Sequence, residues 1–169
     1  KELGVKTFFN MLGPMVNPSF PKNQLVGVFS LELARMYAYL YQNTTVNYSI
    51  LHALDGYDEI SLTAEAKIIT KSSESIVNAN DFNLTKLAFE DIKGGTTIEE
   101  SANIFMNIIS GNGTEAQQNV VCANAAMAIA NVENSSILNA FAKAKESLQS
   151  GKALEKLQKL QQISQNAWV

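Results

Sequence analysis

The chain holds 169 residues, 46% of them hydrophobic and 17% charged, with a formal net charge of −3. That length supports one sizeable core and one domain, and no window stays apolar over the run that a membrane span requires. The acidic balance, with no Lys/Arg cluster denser than Lys152–Lys159, lacks the basic footprint of a nucleic-acid binder, and the single cysteine, Cys122, excludes an internal disulfide. No basic start is followed by an apolar segment, so no secretory signal is read and the expected location is the cytoplasm. The sequence opens on Lys1 rather than methionine, which leaves processing or a preceding segment open.

Residues 2–12 carry Leu3, Phe8, Phe9, Met11 and Leu12 at loosely helical spacing, and Gly13-Pro14 denies the helix a further turn. All three prolines, Pro14, Pro18 and Pro21, fall in the next stretch, which predicts a stiffened loop over Gly13–Asn23. Gln24–Phe29 is an apolar run of strand length, and Ser30 is a plausible N-cap. A helix over Leu31–Gln42 follows, with Leu33, Met36, Tyr37, Leu40 and Tyr41 at three- and four-residue steps. Thr44–Leu54 is β-branched and apolar again. Strand, helix and strand in that order predict a right-handed parallel crossover.

Ala66–Lys71 and Glu74–Asn78 form a hairpin or meander around Ser72-Ser73. Phe82–Ile92 fits neither the helical nor the strand period. Helices then dominate: Thr97 and Glu100 make a capping-box pattern before Ile104, Phe105, Ile108 and Ile109, a cap worth roughly 1 kcal/mol. Ser110–Gly113 breaks that helix, and Thr114–Val132, Ser136–Gln149 and Gly151–Ser164 supply three more. The alanines around Cys122 permit close packing, with Cys122 a small core residue and Asn124 an internal hydrogen bonder.

Chemistry-bearing residues are few. Thr70, Ser72, Ser73 and Ser75 have no base partner, and no dinucleotide fingerprint or P-loop occurs. The stretch His52-Ala-Leu-Asp-Gly-Tyr-Asp-Glu59 gathers Asp55, Asp58 and Glu59 beside the only histidine. A strand ending at Leu54 projects this turn from its carboxyl edge, where open α/β sheets bind ligands. Asp58 and Glu59 then offer hard oxygen ligands of the kind Mg²⁺ takes, and a solvated Asp-Gly turn is the alternative. His52, alone on a strand, reads as structural. Trp168, near the end, says little.

Together these elements resemble one family. ELGVKTFFNMLGPMVNP is similar to the segment L-G-[IV]-R-T-x-F-N-x-L-G-P-L-x-N-P of anthranilate phosphoribosyltransferases. It is followed by H-x-x-x-G-x-D-E at His52 to Glu59, then by N-A-A at Asn124-Ala125-Ala126. The resemblance spans nearly the whole chain. It implies an α/β fold with a partial, mostly parallel sheet flanked by helices, in which residues 1–12 end a helical-domain or hinge segment and residues 13–169 form the α/β domain. It implies transfer of a phosphoribosyl group from 5-phosphoribosyl 1-diphosphate (PRPP) to anthranilate with Mg²⁺, in a homodimer. Asp58 and Glu59 then correspond to the Mg²⁺-binding acidic pair, and Gly13 and Pro14 to the loop lining the anthranilate channel.

The family's glycine-rich G-T-G-G-D loop, its K-H-G-N-[RS] segment and its carboxylate-reading arginine are found nowhere in the 169 residues, and Lys6 replaces a common arginine. The expectation is therefore a C-terminal portion that is inactive alone and exposes surface its missing half would cover. Two rival readings share the fold type: a pyrimidine-nucleoside phosphorylase and a non-catalytic nucleic-acid-binding relative.

Overall fold

In the computed structural model, which describes residues 13–166, the apolar runs between Asn23 and Val77 form one four-stranded sheet. Its strands are β1 (Asn23–Gly27), β2 (Asn47–Ala53), β3 (Ala66–Thr70) and β4 (Glu74–Val77), ordered β1-β2-β3-β4. Helix α1 (Leu31–Tyr41) makes the crossover between β1 and β2, which run parallel with Asn23 opposite Asn47 and Gly27 opposite Leu51. Ser30 caps α1 as expected, its hydroxyl accepting the Leu33 N–H at 3.2 Å.

The other two pairings are antiparallel. The expected mostly parallel sheet is therefore corrected to a mixed one, with one parallel pairing in three. For β3 and β4 the physical reason lies in the connection: Lys71-Ser72-Ser73 is far too short for a parallel crossover. Thr70 closes that turn, its N–H donating to the Ser73 carbonyl at 2.8 Å.

Period-two alternation divides the sheet's apolar side chains between two cores. Tyr48 and Ile50 of β2 join Val26, Leu33, Ala34, Tyr37 and Tyr41 beneath α1, where the Tyr41 and Tyr48 rings stack at 5.4 Å. Leu51 and Ala53 face the other way. They meet α3 (Glu115–Glu133) and α4 (Ile137–Gln149), whose buried Ala123, Ala126, Ala140 and Ala144 allow close helix approach. Cys122 lies in this second core, and burial pushes its thiol pKa up. Helix α5 (Lys152–Asn166) packs on α4.

The segment that fitted neither period, Phe82–Ile92, starts on the last residue of a short 3-10 turn, Ala79–Phe82, and ends in another, Phe89–Ile92, with non-helical chain between them. Helix α2 (Ile98–Ile109) starts at the predicted cap, Thr97 accepting from the Glu100 N–H at 3.1 Å. Glu100 does not complete the box. Its carboxylate takes the Thr96 hydroxyl at 2.6 Å and the Thr96 N–H at 2.7 Å, contacts that hold its pKa below the usual value. No residue of α2 is fully buried, and Ile98, Phe105 and Met106 face solvent. No helix among the described residues is long and apolar enough to cross a membrane. The helix expected over residues 2–12, Lys6 and Trp168 lie outside the described residues.

Candidate functional site

β2 ends at Ala53, and the chain turns at once. The Gly56 N–H donates to the Ala53 carbonyl at 2.9 Å, and the Ala53 N–H donates to the Tyr57 carbonyl at the same distance. Gly56 holds φ at +101°, a region that favours glycine. The acidic turn is therefore ordered by its own backbone at the carboxyl end of β2.

The three carboxylates have separate surroundings. Asp55 accepts hydrogen bonds from the Ser61 hydroxyl at 2.9 Å and from the Thr63 hydroxyl, so it braces the loop internally. Asp58 and Glu59 are exposed, and among the described residues neither makes an ion pair or a side-chain hydrogen bond. Ile60 and Leu62, next along the chain, are each 1% exposed and plug into the core. His52 keeps the structural place expected of it: buried, its Nδ1–H donates to the Val28 carbonyl at 2.8 Å.

Two contacts fix the backbone that carries Asp58 and Glu59. Gly27, at the end of β1, lies against the Asp58 carbonyl so closely that an added Cβ would stand 1.8 Å from its oxygen. From α3, the Asn124 side chain forms a two-way bridge to Ile60: its Oδ1 accepts the Ile60 N–H and its Nδ2 donates to the Ile60 carbonyl, both at 2.8 Å. Leu25, Gly27, Leu51, Asp58, Glu59 and Asn124 line one cavity of about 220 Å³. Gly13 and Pro14 lie in a 3-10 turn, Gly13–Met15, ahead of β1.

Sequence reasoning located the two carboxylates but passed over Gly27. A glycine inside an apolar strand signals close approach of another backbone, and QLVGVF contains that signal. Because the atoms facing a new methyl are backbone, nothing flexible can yield. Gly27→Ala is expected to destabilise the protein by about 1–3 kcal/mol, read as a lower urea midpoint at unchanged m-value.

Chemically, two adjacent free carboxylates beside an open cavity suit Mg²⁺, which usually keeps several waters and takes one or two carboxylates together with substrate phosphates. Among the described residues no three His, Cys, Asp or Glu side chains converge, so this is not a complete protein cage. The donor set fits an ion whose remaining ligands come from water and a phosphorylated substrate.

A family model described as "Glycosyl transferase family, a/b domain" matches residues 1–154. The chain belongs to this glycosyl transferase family. Within the family it is 68% identical to an anthranilate phosphoribosyltransferase of Flavobacterium psychrophilum and 70% identical to one of Flavobacterium johnsoniae. Each match covers 97% of this chain and 50% of the relative. The chain thus spans about half the length of these curated relatives. Among solved structures, the glycosyl transferase domain superposes on an anthranilate phosphoribosyltransferase from Thermus thermophilus with a TM-score of 0.84 at 28% identity, covering 94% of this chain and 48% of that one. The Saccharomyces cerevisiae enzyme, solved in complex with PRPP and Mg, superposes with a TM-score of 0.81 at 25% identity, over 93% and 46% respectively.

Proposed function

We propose that this chain is the α/β portion of an anthranilate phosphoribosyltransferase, which transfers the phosphoribosyl group of PRPP to anthranilate, giving N-(5-phosphoribosyl)anthranilate and diphosphate in tryptophan biosynthesis. The supporting observation is 68–70% identity to relatives of that name along 97% of the chain. The family's rival reading, a pyrimidine-nucleoside phosphorylase, is not favoured by these relatives.

In this reading the reaction forms a bond from the anthranilate nitrogen to C1 of the ribose and breaks the bond from C1 to the diphosphate oxygen, and the proton that the amine loses passes to water. Positive charge develops on the sugar and negative charge on the departing diphosphate. Asp58 and Glu59 would hold Mg²⁺. When bound, the ion neutralises and orients the diphosphate. The two carboxylates act through charge and placement, and neither is needed as a proton acceptor. Gly13 and Pro14 would wall the anthranilate channel by shape, which suits a weak amine nucleophile whose main need is positioning. The longer enzyme would be a cytoplasmic homodimer with no nucleic-acid partner.

The 169-residue chain would contribute half a site and turn over nothing alone. Anthranilate fluorescence with PRPP and Mg²⁺ checks this. The expected outcome is no loss of signal with this chain, and loss once it is joined to the preceding half of the Flavobacterium johnsoniae relative. Turnover by the chain alone would overturn the half-site reading. A folded but inert joined protein would overturn the assigned activity.

A further inference from the structure

Asp58 and Glu59 are exposed side chains on a loop, and a loop free to drift would spend much of its binding energy on ordering. Their placement therefore depends on what holds the backbone beside them. Asn124 does so through a pattern that a neighbouring strand would otherwise supply, one accepted and one donated bond to the same residue, Ile60. A third bond, from Nδ2 to the Val120 carbonyl at 3.0 Å, ties the same amide to its own helix and fixes its direction. The group that reaches the loop is thus set by α3, a 19-residue helix anchored in the core by Cys122, Ala123, Ala126 and Met127. Gly27 closes the opposite side by leaving room for the Asp58 carbonyl and nothing more.

We infer that Asn124 is a positioning residue for the carboxylate pair: by clamping Ile60 it holds Asp58 and Glu59 in the arrangement that binds the divalent cation. The inference rests on the proposed function, and it extends the site to a residue that would act through the Ile60 backbone. A purely structural Asn124 would satisfy the Ile60 backbone and affect stability alone. A positioning Asn124 changes cation affinity as well.

The test uses the joined protein described above, with Mn²⁺ as the probe in the absence of PRPP and free Mn²⁺ read by electron paramagnetic resonance. Asn124→Ala is expected to weaken Mn²⁺ binding by about 10- to 100-fold, the range found when an outer-shell partner of a metal ligand is removed. Asn124→Ser, whose hydroxyl can keep part of the bridge, should fall between and guards against misfolding of the alanine variant. Phe141→Leu, in the core beside Phe82, serves as a destabilised control and should bind Mn²⁺ like the parent. In turnover, the Asn124→Ala defect should shrink as Mg²⁺ is raised.

Unchanged Mn²⁺ affinity in both Asn124 variants, or a turnover defect that Mg²⁺ does not relieve, overturns the inference while leaving the assigned activity standing. Undiminished Mn²⁺ binding by the joined protein carrying Asp58→Asn and Glu59→Gln overturns the metal assignment itself, and the inference falls with it.

Discussion

Replacing Asp58 with Asn and Glu59 with Gln together, in the protein joined to its preceding half, is expected to lower kcat/KM by about 10²- to 10³-fold, the usual cost of removing preorganised electrostatic stabilisation of a developing charge. The same double variant should melt at the parent's temperature or slightly above it. Neither carboxylate makes an ion pair or side-chain hydrogen bond among the described residues, so its amide replacement leaves no partner stranded. Neutralising both also relieves repulsion among three acidic groups, Asp55 included, within one short turn. A fluorescence assay of anthranilate consumption and a melt followed by circular dichroism separate the two effects. Retained turnover would show that the pair does not serve the diphosphate.

The largest effect on stability is expected at Phe82. It is 2% exposed, heads the fully buried side chains by volume, and sets its ring 5.5 Å from that of Phe141 at a 59° tilt. It also shares a core cluster with Ile60 and Leu62, the two plugs of the acidic loop. Phe82→Ala removes the ring and leaves a cavity between elements that cannot easily collapse, at a cost of about 3–5 kcal/mol. Against a typical total of about 5–15 kcal/mol, that leaves a chain near its unfolding threshold. At about 2–4 °C per kcal/mol for a protein of this size, calorimetry should record a Tm lower by roughly 6–20 °C. Phe82→Leu should lose markedly less. An alanine variant that melts with the parent would mean that the core around Phe82 repacks.

Much of the fold was legible because its signals are local. Ser30 before Leu31–Tyr41, and the apolar runs on either side, contain the β1-α1-β2 crossover within adjacent residues. Thr97, Thr114 and Ser136 mark three further helix starts, each with a hydroxyl accepting from the N–H three residues on. Phe82–Ile92 resisted because 3-10 turns follow a three-residue period and stop before it becomes readable. Glu100 made the right pattern with a different outcome, since Thr96 offered its carboxylate both a hydroxyl and an N–H. The parallel character attributed to the sheet followed the resemblance, although Ser72-Ser73 had already implied an antiparallel hairpin.

The candidate site was legible in its chemistry and hidden in its support. HALDGYDE announces a glycine turn with carboxylates at a strand end, and those are properties of neighbouring residues. Gly27 against Asp58 and Asn124 against Ile60 are contacts between distant parts of the chain, and no local period encodes them. Asn124 was identifiable as a hydrogen bonder, but its partner emerged only once α3 was seen lying against the loop.

The acidic loop is also tied at its base, where the Leu54 N–H donates to the Glu65 carbonyl at 2.8 Å. Asp55, Ser61 and Thr63 then brace its interior through their own side chains. The ladder between β2 and β3 thus ends where the loop begins, and Ala53 opposite Ala66 stays paired whatever the intervening residues display. Charge at the exposed tip can thus change without disturbing the sheet's register, whereas the length from Asp58 to Ile60 is set by the seats at Gly27 and Asn124.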